Sequence, residues 1–290
     1  MADADSPTEQ SRQLARVGAK LFTELASAVN EIFSHEPISA LVFLAIVRQE
    51  FGASGGRGRS VSTRVLAQTL DLPFETVRRH VRSLRQAGIC ETTPDGARIP
   101  ASVYLLPDIR RSRARVWAAA RVFMEDAARI ALVGSVPIGD RLEETPGARR
   151  VVVDYFLDAL AAGRKTMSLT PVQLFVWRAI WLANNRAFLD EPQTAADFAA
   201  LHQVPGDALR LPVSAYAVAK ILSLPYETVR RTTAGLVKRQ IVEVRPTGLI
   251  IPARVSATPS VIEMTRAIAQ ITGLLIQRLT EGAMGLRQAG

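Results

Sequence analysis

Apolar positions fall at helical spacing along most of this chain, and the same order of elements is written twice. Leu14, Val17, Leu21, Leu25, Ala28 and Ile32 form a stripe that predicts a helix from Ser6 to about Phe33. Ser6-Pro7-Thr8-Glu9 supplies its start: a serine cap, a proline at the first helical position, and a glutamate closing a capping box. His35-Glu36-Pro37 interrupts the pattern. A second helix, from about Pro37 to Glu50, is apolar on most sides and is predicted to be buried. After a glycine-rich basic loop (Gly52 to Ser60), Val65, Leu66 and Leu70 are predicted to face inward on a short helix. Asp71-Leu72-Pro73 makes a turn, with the proline starting the next helix. Val77, Val81 and Leu84 form the buried face of that helix, and Glu75, Arg78, Arg79 and Arg82 fall opposite. Gly88 is its stop signal. Ile89 to Thr93 and Ala97 to Ile99 read as strands joined at Pro94-Asp95-Gly96. A third long helix follows from about Ile109 to Val133. Its opening arginines, Arg110, Arg111, Arg113 and Arg115, read as a solvated face.

The second half repeats the plan. Leu72-Pro73-Phe74-Glu75-Thr76-Val77-Arg78-Arg79 returns 152 residues later as Leu224-Pro225-Tyr226-Glu227-Thr228-Val229-Arg230-Arg231. Only the aromatic differs. Ser214 to Val255 follows Ser62 to Val103 without a gap, so Gly96 matches Gly248 and Ile99-Pro100-Ala101 matches Ile251-Pro252-Ala253. Upstream, a helix from about Arg149 to Ala162 is ended by Gly163, and another from Pro171 to Asn184 matches the one at Pro37. Asn185 to Leu211 is longer than its first-half counterpart and includes a short helix at Thr194 to His202. A last apolar helix runs from about Ser260 to Leu279. Gly134 to Gly147 carries two prolines and three glycines, as an inter-domain linker would. The expected organisation is a mostly α chain with a first domain over 1–133, a linker over 134–147 and a second, homologous domain over 148–290.

Composition narrows the chemistry. Hydrophobic residues make up 48 % of the 290 and charged residues 22 %, a globular balance. The net charge of +9 suits a polyanionic partner. Nearly all of the basic residues are arginine, which binds phosphate and guanine edges bidentately, although arginine-rich codon usage in a GC-rich genome gives the same bias. The lone Cys90 excludes an intramolecular disulfide and a cysteine-built zinc site, and fits a reducing cytoplasm. Met-Ala-Asp-Ala-Asp at the start has no apolar secretory core. The longest apolar run, Ala40 to Val47, is far short of the roughly 20 residues that span a bilayer. A soluble, cytoplasmic, nucleoid-associated protein without a membrane segment is therefore expected. The loop at Gly52 to Ser60 fails as a phosphate-binding P-loop, because Ala53 and Arg59 stand where glycine and lysine are needed. His35, His80 and His202 lack partners at metal-ligand spacing. Glu143-Glu144 reads as a solubilising patch, and Asp154 and Asp158 as surface residues. Neither an enzyme, a cofactor nor a metal is expected, and no small-molecule effector is evident.

A helix that reads the DNA major groove needs an apolar face to anchor it and long polar residues near its N-terminus. Both copies of the repeated helix have this pattern. The segment from Ser62 to Ile99 resembles the winged helix-turn-helix of bacterial transcription regulators. Its helix is most similar to the catabolite-activator and fumarate-nitrate-regulator type, whose recognition helix carries Glu-Thr-Val-Xaa-Arg. The resemblance implies base contacts from Glu75 with Arg79 and from Glu227 with Arg231, supported by Thr76 and Thr228. Phe74 and Tyr226 depart from the polar residue often found there, and no cyclic-nucleotide barrel precedes either copy. Arg78, His80, Arg82 and Arg230 add supporting candidates on the helices, and Arg98 and Arg245 on the hairpin wings, near phosphates. His80, Arg82 and Arg85 become Thr232, Ala234 and Val237 in the second copy, so the first is expected to make more phosphate contacts.

The expectation is thus two tandem winged helix-turn-helix domains, each with a small β-hairpin wing and flanking long helices. They would act as a sequence-specific regulator of transcription on double-stranded DNA, with two recognition helices in adjacent major grooves. The long apolar helices could also build a homodimer. Two other readings stay open: a plasmid-type replication initiator, and a winged-helix protein-interaction scaffold of a chromosome-organising complex.

Overall fold

The computed structural model describes residues 10–33, 36–50, 60–129, 142–190 and 192–288, and these are mostly helical. The capping box at Ser6, the basic loop at Gly52 and most of the proposed linker lie outside them. The first half contains α1 (Ser11–Ile32), α2 (Pro37–Glu50), α3 (Thr63–Leu70), α4 (Phe74–Gln86), the hairpin β1 (Glu91–Thr93) and β2 (Gly96–Arg98), a 3-10 turn (Ala101–Leu105) and α5 (Pro107–Arg129). The second half contains α6 (Pro146–Met167), α7 (Pro171–Asn184), the short α8 (Ala187–Asp190) and α9 (Pro192–Asp197), α10 (Ala215–Leu222) and α11 (Tyr226–Lys238). It ends with the hairpin β3 (Glu243–Arg245) and β4 (Gly248–Ile250), the short α12 (Ala253–Ser256) and α13 (Pro259–Gln288). The last helix runs well past the predicted end at Leu279.

The internal repeat is visible in helix lengths. α1 and α6 both have 22 residues, and α2 and α7 both have 14 and start at a proline. The last residue of α2 and of α7 does the same work. Glu50 accepts the Ile99 backbone N–H and the Tyr104 hydroxyl, and Asn184 Oδ1 accepts the Ile251 N–H at 2.8 Å. Each therefore ties its helix to the residue that follows its hairpin. Burial raises the Glu50 carboxyl above its ordinary range, although the Tyr104 and Ile99 hydrogen bonds oppose the rise.

The hairpins pair antiparallel in equivalent register, Thr93 with Gly96 and Arg245 with Gly248. Val61 and Val213 add a third short bridge to each, at Ala97 and Leu249. Gly96 and Gly248 have φ of 132° and 137°, and an added Cβ on Gly96 would meet the Val61 carbonyl at 2.2 Å. Only glycine fits there.

Beyond these local units the two halves share one hydrophobic core. α1 packs on α5 and α13, and also reaches α7 and α10. It is buried on almost every side, not along a single stripe as predicted. The reason lies in two arginines that the stripe left facing water. Arg12 donates to the Leu201 carbonyl at 2.8 Å, and Arg16 to those of Ala195 and Phe198 at 3.2 and 2.6 Å. The longer second-half segment wraps the start of α1 and supplies these carbonyls. Burial pushes Arg12 down to about 10, helped by Arg210, and Arg16 to about 9, helped by Arg12.

Four further expectations are corrected. Val65 is 39 % exposed, because Leu66, Ala67 and Leu70 alone fill the inward face of α3. Gly163 does not end a helix. It lies inside α6, where an added Cβ would meet the Leu174 side chain at 2.8 Å, so it permits close approach of α7. Asp154 is buried, paired at 2.8 Å with Arg48, which also reaches Asp158 at 2.9 Å and so joins α2 to α6. Glu144 is not a free surface charge, since Arg113 and Arg149 approach it at 3.0 and 3.8 Å.

Gly18 lies where α1 meets α6 and α13 closely. A Cβ there would lie 2.4 Å from Thr272 Oγ1 and 2.8 Å from the Tyr155 hydroxyl, which itself donates to the Gly18 carbonyl at 2.6 Å. Gly18→Ala should destabilise the chain by about 1–3 kcal/mol despite the helix propensity of alanine, since the core must be overpacked. Chemical denaturation of the two proteins side by side measures this.

Candidate nucleic-acid interface

In each half a short helix, a three-residue turn and a 13-residue helix precede the hairpin. The turn is set by a left-handed residue at the end of the first helix, Asp71 (φ 48°) and Ser223 (φ 50°). Ser62 and Ser214 cap the first helix through Val65 N–H and Ala217 N–H. Pro73 and Pro225 stand as N-cap residues of α4 and α11, so the helices begin one residue later than the proline, at Phe74 and Tyr226. Val77, Val81 and Leu84 bury one face of α4, and Val229, Thr233 and Leu236 that of α11.

The opposite faces carry the predicted residues. Glu75, Arg78, Arg79 and Arg82 are exposed on α4, as are Glu227, Arg230 and Arg231 on α11, with Thr76 and Thr228 half-buried at their edges. Glu75 accepts from Arg78 at 2.7 Å, and Glu227 from Arg230 at 2.8 Å. The hydrogen bond from Arg230 holds the Glu227 carboxyl below its ordinary range and raises the guanidinium in turn. Arg79 and Arg231 make no hydrogen bond or ion pair among the described residues. Each glutamate is thus engaged with the neighbouring arginine and not with the one it was paired with in the base-contact expectation.

His80 is turned inward. It is buried, and its Nδ1 lies 2.9 Å from Ser39 Oγ on α2. Burial lowers its pKa, opposed by Glu36 and assisted by Arg79. Its position one residue past the outward pair rotates it onto the α2 side, so it packs the helix in place. The hairpin arginines are also occupied. Arg98 pairs with Glu91 across the strands at 2.8 Å, and Arg245 with Asp207 at 2.7 Å. Burial opposes ionisation of Asp207, but the Ala253 N–H and Arg245 outweigh it and hold the carboxyl below its ordinary range. Along α5, Arg115 is held by Glu24 and Glu31 at 3.1 and 2.6 Å, and Arg111 by Asp108.

Two features were not foreseen. The first is the aromatic at the mouth of each helix: Phe74 is 46 % exposed and Tyr226 50 %. The second is a reciprocal set of clamps. Arg164, near the end of α6 in the second half, donates to the carbonyls of Leu70 and Asp71, the turn of the first unit. Near the end of α1 in the first half, Asn30 donates to the Leu222 carbonyl at 2.9 Å. Beside it, Ser223 Oγ meets Ser27 Oγ and Glu31 Oε1, each at 2.8 Å. Each helix-turn-helix is therefore steadied by the long helix of the opposite half. Arg239, just past α11, completes the link by donating to the Met167 and Ser168 carbonyls at the end of α6. No periodicity signals such contacts, since the residues that they join lie between 71 and 196 positions apart.

Among the described residues no group of histidine, cysteine and carboxylates could hold a metal ion, and no single helix is long and apolar enough to cross a membrane. Comparison of the chain with protein-family models, with curated proteins and with solved structures finds no match.

Proposed function

We propose that the protein is a sequence-specific double-stranded DNA-binding regulator of transcription, built from two winged helix-turn-helix units in one chain. α4 and α11 would be the recognition helices and the two hairpins the wings. The observation that carries this reading is the repeated outward face. Both helices present an unengaged arginine, Arg79 or Arg231, five residues after an exposed N-terminal aromatic, on an otherwise basic chain. Long donors at the first turns of such a helix suit guanine edges, and an aromatic at its tip suits the thymine methyl group. The reciprocal clamps support a fixed spacing between the two helices, as expected for two half-sites about one DNA turn apart. A scaffold that binds proteins remains the second reading, favoured by the same exposed Phe74 and Tyr226.

Selection of bound duplexes from a random library, with the whole chain, tests this. Two short half-sites at one spacing should be enriched, and replacing their thymines by deoxyuridine should weaken binding. If no sequence is enriched over competitor DNA, the reading fails and the scaffold takes its place.

A further inference from the structure

The aromatic at the mouth of α11 does not stand alone. Tyr216, in the first turn of α10, lies against Tyr226, with ring centroids 6.5 Å apart and ring planes at 57°. The two residues are 58 % and 50 % exposed. Lys220, one turn further along α10, places its ammonium 4.7 Å from the centre of the Tyr216 ring. It pairs with no carboxylate among the described residues. Two exposed rings and an uncompensated cation therefore sit together on the helix-turn-helix of the second half.

The repeat isolates what is particular to this half. The matching positions of the first half hold Arg64, Gln68 and Phe74, all exposed. The first unit thus offers one ring beside an arginine, and the second offers two rings beside a lysine. An exposed arginine suits a phosphate, which paired and unpaired DNA both supply. A second ring adds nothing to that, and a thymine-methyl contact at the helix tip needs only Tyr226. A ring gains most from a flat partner on its face. In a duplex the base faces are covered by their neighbours, and only base edges reach the grooves. An unpaired base exposes its face, and tyrosine stacks on it whatever its identity. Tyr216 and Tyr226 are tilted, not stacked on each other, so both keep ring surface free for such bases.

We propose that Tyr216 and Tyr226 form a stacking platform for unpaired bases of single-stranded DNA, with Lys220 holding a phosphate of the same strand. Given the reading that the α11 face meets DNA, on which this rests, the second unit sits where paired DNA gives way to an opened strand. The first unit, with Arg64 in place of Tyr216, lacks that platform. Stacking of this kind is indifferent to base identity, so it adds affinity for an opened strand and no sequence preference of its own.

Fluorescence anisotropy with the full chain tests this. The probes are a labelled oligothymidylate of about 12 nucleotides, within the span that single-strand sites cover, and an abasic strand of the same length. Oligothymidylate should bind at least about tenfold more tightly than the abasic strand, which carries the same phosphates. Tyr216→Ala and Tyr226→Ala should each weaken oligothymidylate binding by about tenfold. Both residues are exposed, so the melting temperature should stay unchanged. Tyr216→Phe keeps the ring without its hydroxyl and should bind within about twofold of the parent chain. Lys220→Gln should reduce the salt slope by about 0.7.

Equal binding of the two strands overturns the proposal, as does no binding of oligothymidylate. Undiminished binding in the Tyr216→Ala/Tyr226→Ala double variant overturns it too. So does a loss in Tyr216→Phe as large as in Tyr216→Ala, because the hydroxyl would then be serving a phosphate. The duplex selection is a separate readout. A chain that enriches two half-sites but ignores oligothymidylate keeps the proposed regulatory role and loses the platform. A chain that binds the single strand through its tyrosines but enriches no duplex keeps the platform and loses that role.

Discussion

Replacing Arg79 and Arg231 together by alanine should weaken binding to the selected duplex by roughly 30-fold or more, and should flatten its sequence preference. Each guanidinium is expected to make a bidentate base contact that discriminates by about 1–3 kcal/mol, so two sum to at least about 2 kcal/mol. Neither side chain has an internal partner, so truncation removes no contact of the folded chain and the melting temperature should stay unchanged. Arg82→Gln with Arg85→Gln is the contrasting change. Both residues are exposed on the later turns of α4, where the second copy carries Ala234 and Val237. If they meet phosphates, the salt slope of binding should fall by about 2 and all sequences should weaken alike. This comparison belongs in the whole chain, because the shared core gives no ground for expecting either half to fold by itself. Unchanged affinity and preference in the Arg79/Arg231 variant would remove those residues from the mechanism. A clean drop with preserved stability would separate base reading from general attraction to a polyanion.

The features legible in the sequence were those encoded within about forty residues. The turn at Asp71, the buried faces of α4 and α11 and the glycines at the hairpin tips each follow from a period or from one residue's backbone freedom. The features that were not legible depend on contacts across the chain. Arg12 and Arg16 look like solvent-facing charges until the carbonyls at 195–201 are brought over them. Gly163 reads as a helix stop, since glycine so often is one, yet here it makes room for Leu174. Asp154 and Arg115 read as surface charges because their partners, Arg48 on one side and Glu24 with Glu31 on the other, lie more than eighty residues away. His80 differs from these, because helical spacing does signal it: it lies three residues after Val77 and four before Leu84, on the buried face. The position of α2 adds the Ser39 hydroxyl that meets its ring.

The same long-range packing sets the last expectation. Phe22, on α1 of the first half, stacks on Phe156 of α6 with ring centroids 4.8 Å apart, and its ring lies 5.8 Å from that of Phe175 on α7. The Arg178 guanidinium sits over its face at 5.1 Å. Phe22→Ala therefore removes a first-half side chain whose aromatic partners all belong to the second half. Loss of a buried phenylalanine costs about 3–5 kcal/mol. It also takes the aromatic face from an arginine that is itself buried, with Nε and Nη2 unpaired among the described residues. At about 2–4 °C per kcal/mol for a chain of this order, the melting temperature should fall on the order of 10 °C. Val122→Ala, at an exposed position of α5, should change it little. Hydrogen exchange distinguishes what unfolds. If the shared core couples the halves, the amides of β1–β2 and of β3–β4 should lose protection together in Phe22→Ala. Loss confined to one hairpin would mean that the halves open separately. The clamps from Arg164 and Asn30 would then be too weak to hold the two proposed recognition helices at one spacing.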